Sequence, residues 1–278
     1  MSLSLEVYSG VQGAAPRVLL YGIHGIGKSS WAADIEDHIF IQTENRLRHI
    51  NCTRLKVAET WTEALEQLEY LASVTYNFKC INVDSIDWLE KLIHAHLCEQ
   101  YGEENIAGNS KGSPFAFQRG YALANDLFRK FLNVLDYLNN TQDVQVTLIS
   151  HAEIEEFKDP MRENYHHYFP AVHKYIRKTV LEWCDCVLFA NYQTYVKSEE
   201  GGFGKKIQKA IGDGERLIYT EKRPAFEAKN SYDLPPEMTL PKIHPYHPFK
   251  EAIEKWRKEQ GNNGLELQKL TKEKKLSS

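Results

Sequence analysis

Apolar and polar positions alternate along the first half of the chain in a way that predicts strands and helices by turns. Leu5–Tyr8 reads as a short leading strand, and residues 17–22 as a fully apolar one. A helix is expected from Lys28 to about Glu36, then a strand at His38–Gln42 and a short extended piece at Leu55–Ala58. Thr60 with Glu63 three residues on forms a capping box, opening a helix to about Ser73. Lys79–Asp84 is a mostly apolar strand ending in an acid. Ile86–Tyr101 places Trp88, Leu89, Leu92, Ile93 and Leu97 on one helical face. The stretch 102–113 is polar and rich in Gly, Ser and Asn, hence a loop. A long helix is predicted over Phe115–Leu138 and a buried strand over Val144–Ser150. Apolar strands separated by helices imply an α/β fold, with a parallel sheet covered on both faces.

The pattern then changes. Residues 151–170 mix polar and aromatic positions with Pro160 and Pro170, and read as a loop. A helix at His173–Leu181, a strand at Asp185–Val196, a Glu-Glu-Gly-Gly turn at 199–202 and strands at Phe203–Lys209 and Leu217–Thr220 follow. They predict an antiparallel hairpin extension on the same sheet. From Leu234 the chain is punctuated by Pro235, Pro236, Pro241, Pro245 and Pro248, then carries a helix at Phe249–Glu259, a Gly-Asn linker and a Lys-rich end. The expected division is a core over 1–236 and a linker, short helix and tail over 237–278. No internal repeat is evident.

Bulk properties narrow the function without fixing it. With 278 residues, 42% hydrophobic and 26% charged, the chain has the composition of a soluble globular protein. A net charge of -4 leaves nucleic-acid contact to local patches. The last 37 positions, 242–278, hold nine Lys/Arg against five Glu, a basic end that reads as a solvated tail or a nucleic-acid arm. No apolar run suggests a membrane span, and the start does not read as a signal peptide. Cys52, Cys80, Cys98, Cys184 and Cys186 lack paired metal-ligand spacing; Cys184-Asp-Cys186 alone puts two thiols on one strand face. Reduced core cysteines and a cytoplasmic location are expected.

One phrase carries chemistry. After the strand 17–22 the chain reads Gly22-Ile-His24-Gly25-Ile26-Gly27-Lys28-Ser29-Ser30, and a helix follows. Glycines allow a tight turn whose N–H groups face an anion, and the new helix adds the positive end of its dipole. Lys28 can reach the β- and γ-phosphates of ATP, and the Ser29 hydroxyl can ligate Mg²⁺. Asp84, at a strand end, suits a second hold on that Mg²⁺. Glu44 follows the strand Ile39-Phe40-Ile41; placed beside the P-loop strand, its carboxylate can take a proton from water aligned on the γ-phosphate. His151, closing the strand at Ser150, is a candidate γ-phosphate sensor or a histidine satisfied by loop backbone. The stretch Glu153–Phe169 combines aromatics and cations as single-strand binders do, though its acids oppose this. Lys222, Arg223 and Lys229 follow the last strand; in oligomeric P-loop ATPases cations there reach a neighbour's γ-phosphate, with Arg223 and Lys229 the better placed.

With these pieces in place, the chain resembles phage-encoded RecA-like ATPases, the group of phage nucleotide-binding or single-strand annealing proteins. The matching phrases are Gly22–Ser29, Phe40-Ile-Gln-Thr-Glu44, Ile81-Asn-Val-Asp84-Ser-Ile-Asp-Trp-Leu, Thr147-Leu-Ile-Ser-His151 and Arg223-Pro-x-x-x-x-Lys229. The resemblance implies a RecA-like P-loop NTPase core, with Glu44 as the residue that activates water. It also implies a homo-oligomer with ATP at subunit interfaces, binding single-stranded DNA through loops on one face. The chain departs from the cellular recombinase in a short link from Lys28 to Glu44 and in His151 where that enzyme has an amide side chain. It also shows no separate DNA-binding domain. These departures favour annealing or filament assistance over strand exchange. A phage or host single-strand binding protein is a further expected partner. The competing readings are an ATP-driven loader or adaptor for a phage replication protein and a small-molecule kinase. The kinase is disfavoured because the 102–113 loop offers only Lys111 as a lid cation.

Overall fold

Strands apolar on both faces need cover on both, and the computed structural model supplies it. It describes residues 4–11, 13–74, 76–108, 112–159, 163–193, 195–201, 205–211, 214–260 and 266–271. In chain order the first half holds β1 (Ser4–Ser9), β2 (Arg17–Gly22), α1 (Lys28–Ala33), β3 (His38–Gln42), α2 (Trp61–Ser73), β4 (Cys80–Asp84), α3 (Ile86–Tyr101) and α4 (Arg119–Gln142). Then come β5 (Gln145–Phe157), β6 (Tyr165–Pro170), α5 (Lys174–Trp183), β7 (Cys186–Tyr192), β8 (Tyr195–Gly201) and β9 (Lys205–Ile211). The last elements are β10 (Arg216–Tyr219), β11 (Lys229–Asn230), β12 (Glu237–Thr239), α6 (His247–Gln260) and β13 (Glu266–Thr271).

The main sheet runs β12-β10-β7-β2-β5-β4-β3, with β11 on β7 and β6 on β5. The five strands from β7 to β3 are mutually parallel, whereas β10 and β11 run antiparallel to β7. This is the expected α/β class: a mostly parallel sheet with an antiparallel C-terminal extension. One expectation is corrected. The strand before Glu44, β3, is not beside the P-loop strand β2, because β4 and β5 lie between them. After β3 the crossover through α2 returns inward, so successive strands fill the sheet from its edge toward β2.

Alternation along each strand splits the core in two. Leu19, Tyr21, Ile81, Val83, Val146 and Leu148 pack with residues of α2 to α5, among them Leu68, Ile93, Phe128, Phe131 and Ile176. Val18, Leu20, Phe40 and Leu188 face Trp31 of α1 and Phe249 and Ile253 of α6. Residues beyond 236, expected as linker and tail, therefore join the packing: β12 extends the sheet and α6 covers the face that short α1 leaves bare. Trp31 meets Tyr246 and Phe249 edge-on, with ring centroids 4.9 and 5.4 Å apart. Helix α1 stops at Ala33 rather than Glu36, and the Asp34 carboxylate just past its end accepts the Tyr246 N–H at 3.0 Å.

Local signals held at α2, where Thr60 Oγ1 accepts the Glu63 N–H at 3.1 Å and Glu63 Oε2 accepts the Glu59 N–H at 2.8 Å. Helix α4 starts four residues late. Phe115 is buried and packs on Tyr101, and the chain reaches it only by placing Phe117 and Gln118 at φ 55° and 64°, which no helix tolerates. The expected loop after His151 is instead a β-hairpin: β5 runs on to Phe157 and pairs with β6, setting Ile154 opposite Tyr168 and Phe157 opposite Tyr165. The β8–β9 ribbon is a two-stranded sheet of its own rather than part of the main one. Part of the basic tail, β13, pairs with β1. The Gly-Asn linker at 261–265, the end at 272–278, Gly202 and Lys111 lie outside the described residues. All five cysteines are free, and burial raises the thiol pKa of Cys184 and Cys186. Among the described residues no helix is long and apolar enough to cross a membrane.

Candidate active site

Strand β2 delivers the P-loop where three strands converge. A Cβ on Gly22 would collide with the Ala190 carbonyl of β7, so only glycine lets these strands stay paired to their ends. At Gly27 φ is 109°, a region side chains avoid, and there the backbone turns into α1. No side chain caps that first turn. Beside it lies a cleft of ≈ 260 Å³ lined by His24, Gly25, Gly27, Lys28, Ser29 and Ser30 on one side and by Glu44, Asp84 and His151 on the other. Three residues of the motif, Gly22, Ile23 and Ile26, do not line it. Ile26 is fully buried in the core, anchoring the loop from behind, and Gly22 contributes its carbonyl to Lys28.

Lys28 Nζ donates to the carbonyls of Gly22 and Ile23, both at 2.9 Å. Burial draws its pKa down to about 8, against the opposing pull of Asp84, Asp87 and Glu44. Burial likewise pushes the Asp84 carboxyl up to about 6, while its hydrogen bond from Ser29 works the other way. Ser29 Oγ donates to Asp84 Oδ2 at 2.7 Å. A hydroxyl and a carboxylate side by side form a hard, all-oxygen donor set, which fits Mg²⁺. A divalent cation there would also compensate a charge that burial disfavours.

Glu44 reaches the cleft because the ends of β3 and β4 are stitched together. The Thr43 N–H donates to the Asp84 carbonyl at 3.0 Å, Thr43 Oγ1 donates to the Ser85 carbonyl at 2.7 Å, and the Ser85 N–H donates to Thr43 Oγ1 at 2.9 Å. The stitch sets Glu44 beside Asp84 despite the distance from β2. Ser85 Oγ donates to Glu44 Oε1 at 3.2 Å. Glu44 Oε2 is buried and receives no hydrogen bond from the described residues. That oxygen forms an ion pair with Arg46, whose Nε lies 2.9 Å away.

His151 is held from two sides. Its N–H and ring Nδ1 contact the Asp87 carboxylate at 3.1 and 2.8 Å, and its ring stacks on His24 of the P-loop, centroids 4.2 Å apart. Burial would raise the Asp87 carboxyl, but its bonds to His151 outweigh that and bring it below the usual range. His24 is lowered, by burial first and then by His151 and Lys28.

A family model described as AAA domain matches residues 14–232. The chain belongs to the AAA domain family. It is therefore a P-loop ATPase. The crystal structure of the RadB recombinase aligns with 80% of this chain and 86% of its own, at 13% identity and a TM-score of 0.41. No curated protein matches the sequence.

Two expected site residues of this AAA domain stay away from their own chain's cleft. Arg223 Nη2 pairs with Glu237 at 3.1 Å, and the guanidinium lies 4.9 Å from the Tyr219 ring centroid. Lys229 Nζ donates to the carbonyls of Cys184, Glu182 and Leu181 at 2.6, 3.3 and 3.4 Å, closing the C-terminal end of α5. The structure adds residues to which sequence reasoning gave no role. Asp87 stands inside one quoted phrase and Arg46 two residues past another, but their contacts arise only from the tertiary fold. Arg216, at the start of β10, donates from Nη1 to the Ile26 carbonyl at 3.0 Å and so grips the P-loop from outside. No local motif announces it. The aromatics expected to meet DNA between 153 and 169 largely meet one another: His167 lies between Phe157 and Phe169, centroids 5.5 and 4.3 Å away. Glu153 and Glu155 both engage Arg177.

Proposed function

We propose that the protein is an ATP-dependent single-stranded-DNA-binding protein of phage homologous recombination, assembling with itself and using Glu44 as the base of ATP hydrolysis. One observation carries the hydrolytic part: Glu44 Oε2 is a buried carboxylate oxygen that, among the described residues, accepts no hydrogen bond and is ion-paired with Arg46, in the same cleft as Lys28 and the Ser29–Asp84 pair. Such an oxygen is suited to accept a proton from water. Water attacks the γ-phosphorus, a new P–O bond forms, the bridging bond to ADP breaks, and the proton passes to Glu44. Lys28 is the buried cation within the loop that neutralises phosphate charge. Ser29 and Asp84 would hold Mg²⁺, which when bound supplies charge for the triphosphate. His151, stacked on the P-loop and locked to Asp87, is placed to register the γ-phosphate and pass the signal to β5–β6.

Support for single-stranded DNA comes from the resemblance and from one surface. Phe117 is fully exposed on a backbone held at positive φ. The next residue, Gln118, accepts the Tyr175 hydroxyl at 3.2 Å, and Lys174 lies 5.5 Å from the Tyr175 ring centroid. Arg119 follows at the start of α4. Exposed rings beside cations are what sequence-independent binders use to stack bases and follow phosphates.

The test is ATP turnover by wild type and Glu44→Gln, with and without single-stranded DNA. We expect stimulation by DNA in the wild type and a loss of about 100-fold or more in the variant, with nucleotide binding kept. Equal turnover in both proteins would remove Glu44 from this role. Turnover indifferent to DNA, with no ATP-dependent retention of poly-dT, would transfer the reading to a loader acting on a replication protein.

A further inference from the structure

We propose that Arg46 is a second catalytic residue of the cleft, a cation acting in cis on the γ-phosphoryl group and holding Glu44 until nucleotide arrives. The inference rests on the ATPase reading above and extends it. The cleft carries the carboxylates of Glu44 and Asp84 against the single ammonium of Lys28. A triphosphate adds further negative charge, and its transfer concentrates charge on the departing oxygens. Among the described residues lining the cleft, Arg46 is the one permanent cation besides Lys28; the others that can gain charge are histidines. Arg223 and Lys229 are engaged elsewhere in their own chain, on Glu237 and on the end of α5.

The geometry around Arg46 separates a fixed backbone from a free side chain. Its N–H donates to the Glu44 carbonyl at 3.1 Å, and Leu47, the next residue, is buried. Arg54 Nη1 donates to the Leu47 carbonyl at 2.9 Å and ties the segment down further. The Arg46 side chain, by contrast, is 67% exposed while its partner Glu44 is 6% exposed. An ion pair so lopsided is easily opened from the solvent side. Phosphate oxygens compete with a carboxylate for the same guanidinium donors. When Arg46 moves to the γ-phosphate, Glu44 Oε2 loses its ion-pair partner and becomes free to take the proton of water. Base and substrate charge are thereby coupled through one side chain, so the base is released only when there is a γ-phosphate to attack.

The experiment combines binding, turnover and subunit mixing on the full chain with Mg²⁺ present. Calorimetry with ADP and with a non-hydrolysable ATP analogue should show Arg46→Ala binding ADP as wild type does, while its preference for the ATP analogue falls about tenfold. Its kcat should fall by about 100-fold or more. Arg46→Lys should recover much of the affinity and little of kcat, because an ammonium lacks the planar fork. Without nucleotide Arg46→Ala should melt below wild type, because Glu44 is left buried and unpaired, whereas Arg46→Lys should melt close to wild type. Mixing Arg46→Ala with Lys28→Ala protein should give no more turnover than the two measured apart; restored turnover would place Arg46 in a neighbour's cleft and overturn action in cis. If wild type hydrolyses ATP, Glu44→Gln does not, and Arg46→Ala keeps wild-type kcat and ATP preference, this inference fails while the ATPase reading stands. A wild type that hydrolyses no ATP would bring down both.

Discussion

At the scale of single residues, the cleft stores charge that the folded chain alone accommodates poorly. The Asp84 carboxyl titrates near 6 in the fold against 3.8 for an exposed aspartate, because burial disfavours its ionised form. Between those values the folded protein holds a proton the unfolded chain has released, so stability declines as pH rises through that window. Asp84→Asn removes the charge and keeps an oxygen for the Ser29 hydroxyl. Without nucleotide it should melt higher than wild type at pH 7.5, by roughly 4 °C; the difference should shrink below pH 6 and vanish near 4. Mg²⁺–ATP should reverse the ranking, since ligand stabilises the protein that binds it. Lys28, with its pKa brought down to about 8 by burial, gives a second expectation. Above that value free protein must take up a proton to present a cation to phosphate, so ATP affinity measured by calorimetry should weaken by up to about tenfold per pH unit from 8 upward. Residues of the P-loop were legible because they are consecutive. Asp84 was legible because it ends an apolar run, whereas Glu44, two residues past β3, was singled out by the resemblance. The tie between Asp87 and His151 spans 64 positions and belongs to the packing of α3 on β5, which no local pattern encodes.

Elements were most legible where a helix or strand is settled by its own residues. The capping box set the start of α2, and the apolar face of α3 set its length. They were least legible where tertiary contacts override local preference, as at the start of α4. The hairpin β5–β6 was hidden by its acids: Glu153, Glu155 and Glu156 break the apolar pattern, and two of them are satisfied by Arg177 from α5. The turn before α4 also yields an expectation. Phe117 covers nothing in its own chain, so Phe117→Ala should leave the melting temperature unchanged and weaken poly-dT binding by about tenfold. Retained affinity, read by fluorescence anisotropy at fixed salt, would move the DNA surface elsewhere.

For the molecule as a whole, alternating strands and helices disclosed the sheet and its helical layers, but not what closes the second face. Phe249 and Ile253 sit one helical turn apart in a stretch crowded with charge, so in sequence they resemble a minor amphipathic helix in a tail. In the fold they lie against Trp31, in the core beneath the P-loop. Phe249→Ala should cost about 3–5 kcal/mol in urea unfolding. A chain ending at residue 236 should fare worse, because α6 is part of the core it would leave open. Arg216 connects a different pair of regions. It begins β10, the strand that the β8–β9 ribbon feeds, and its guanidinium is hooked on the Ile26 carbonyl behind the nucleotide cleft. The phosphate cradle is thus braced from behind by the first residue of the sheet's antiparallel extension, so the strand that widens the sheet also steadies the loop that would hold the nucleotide.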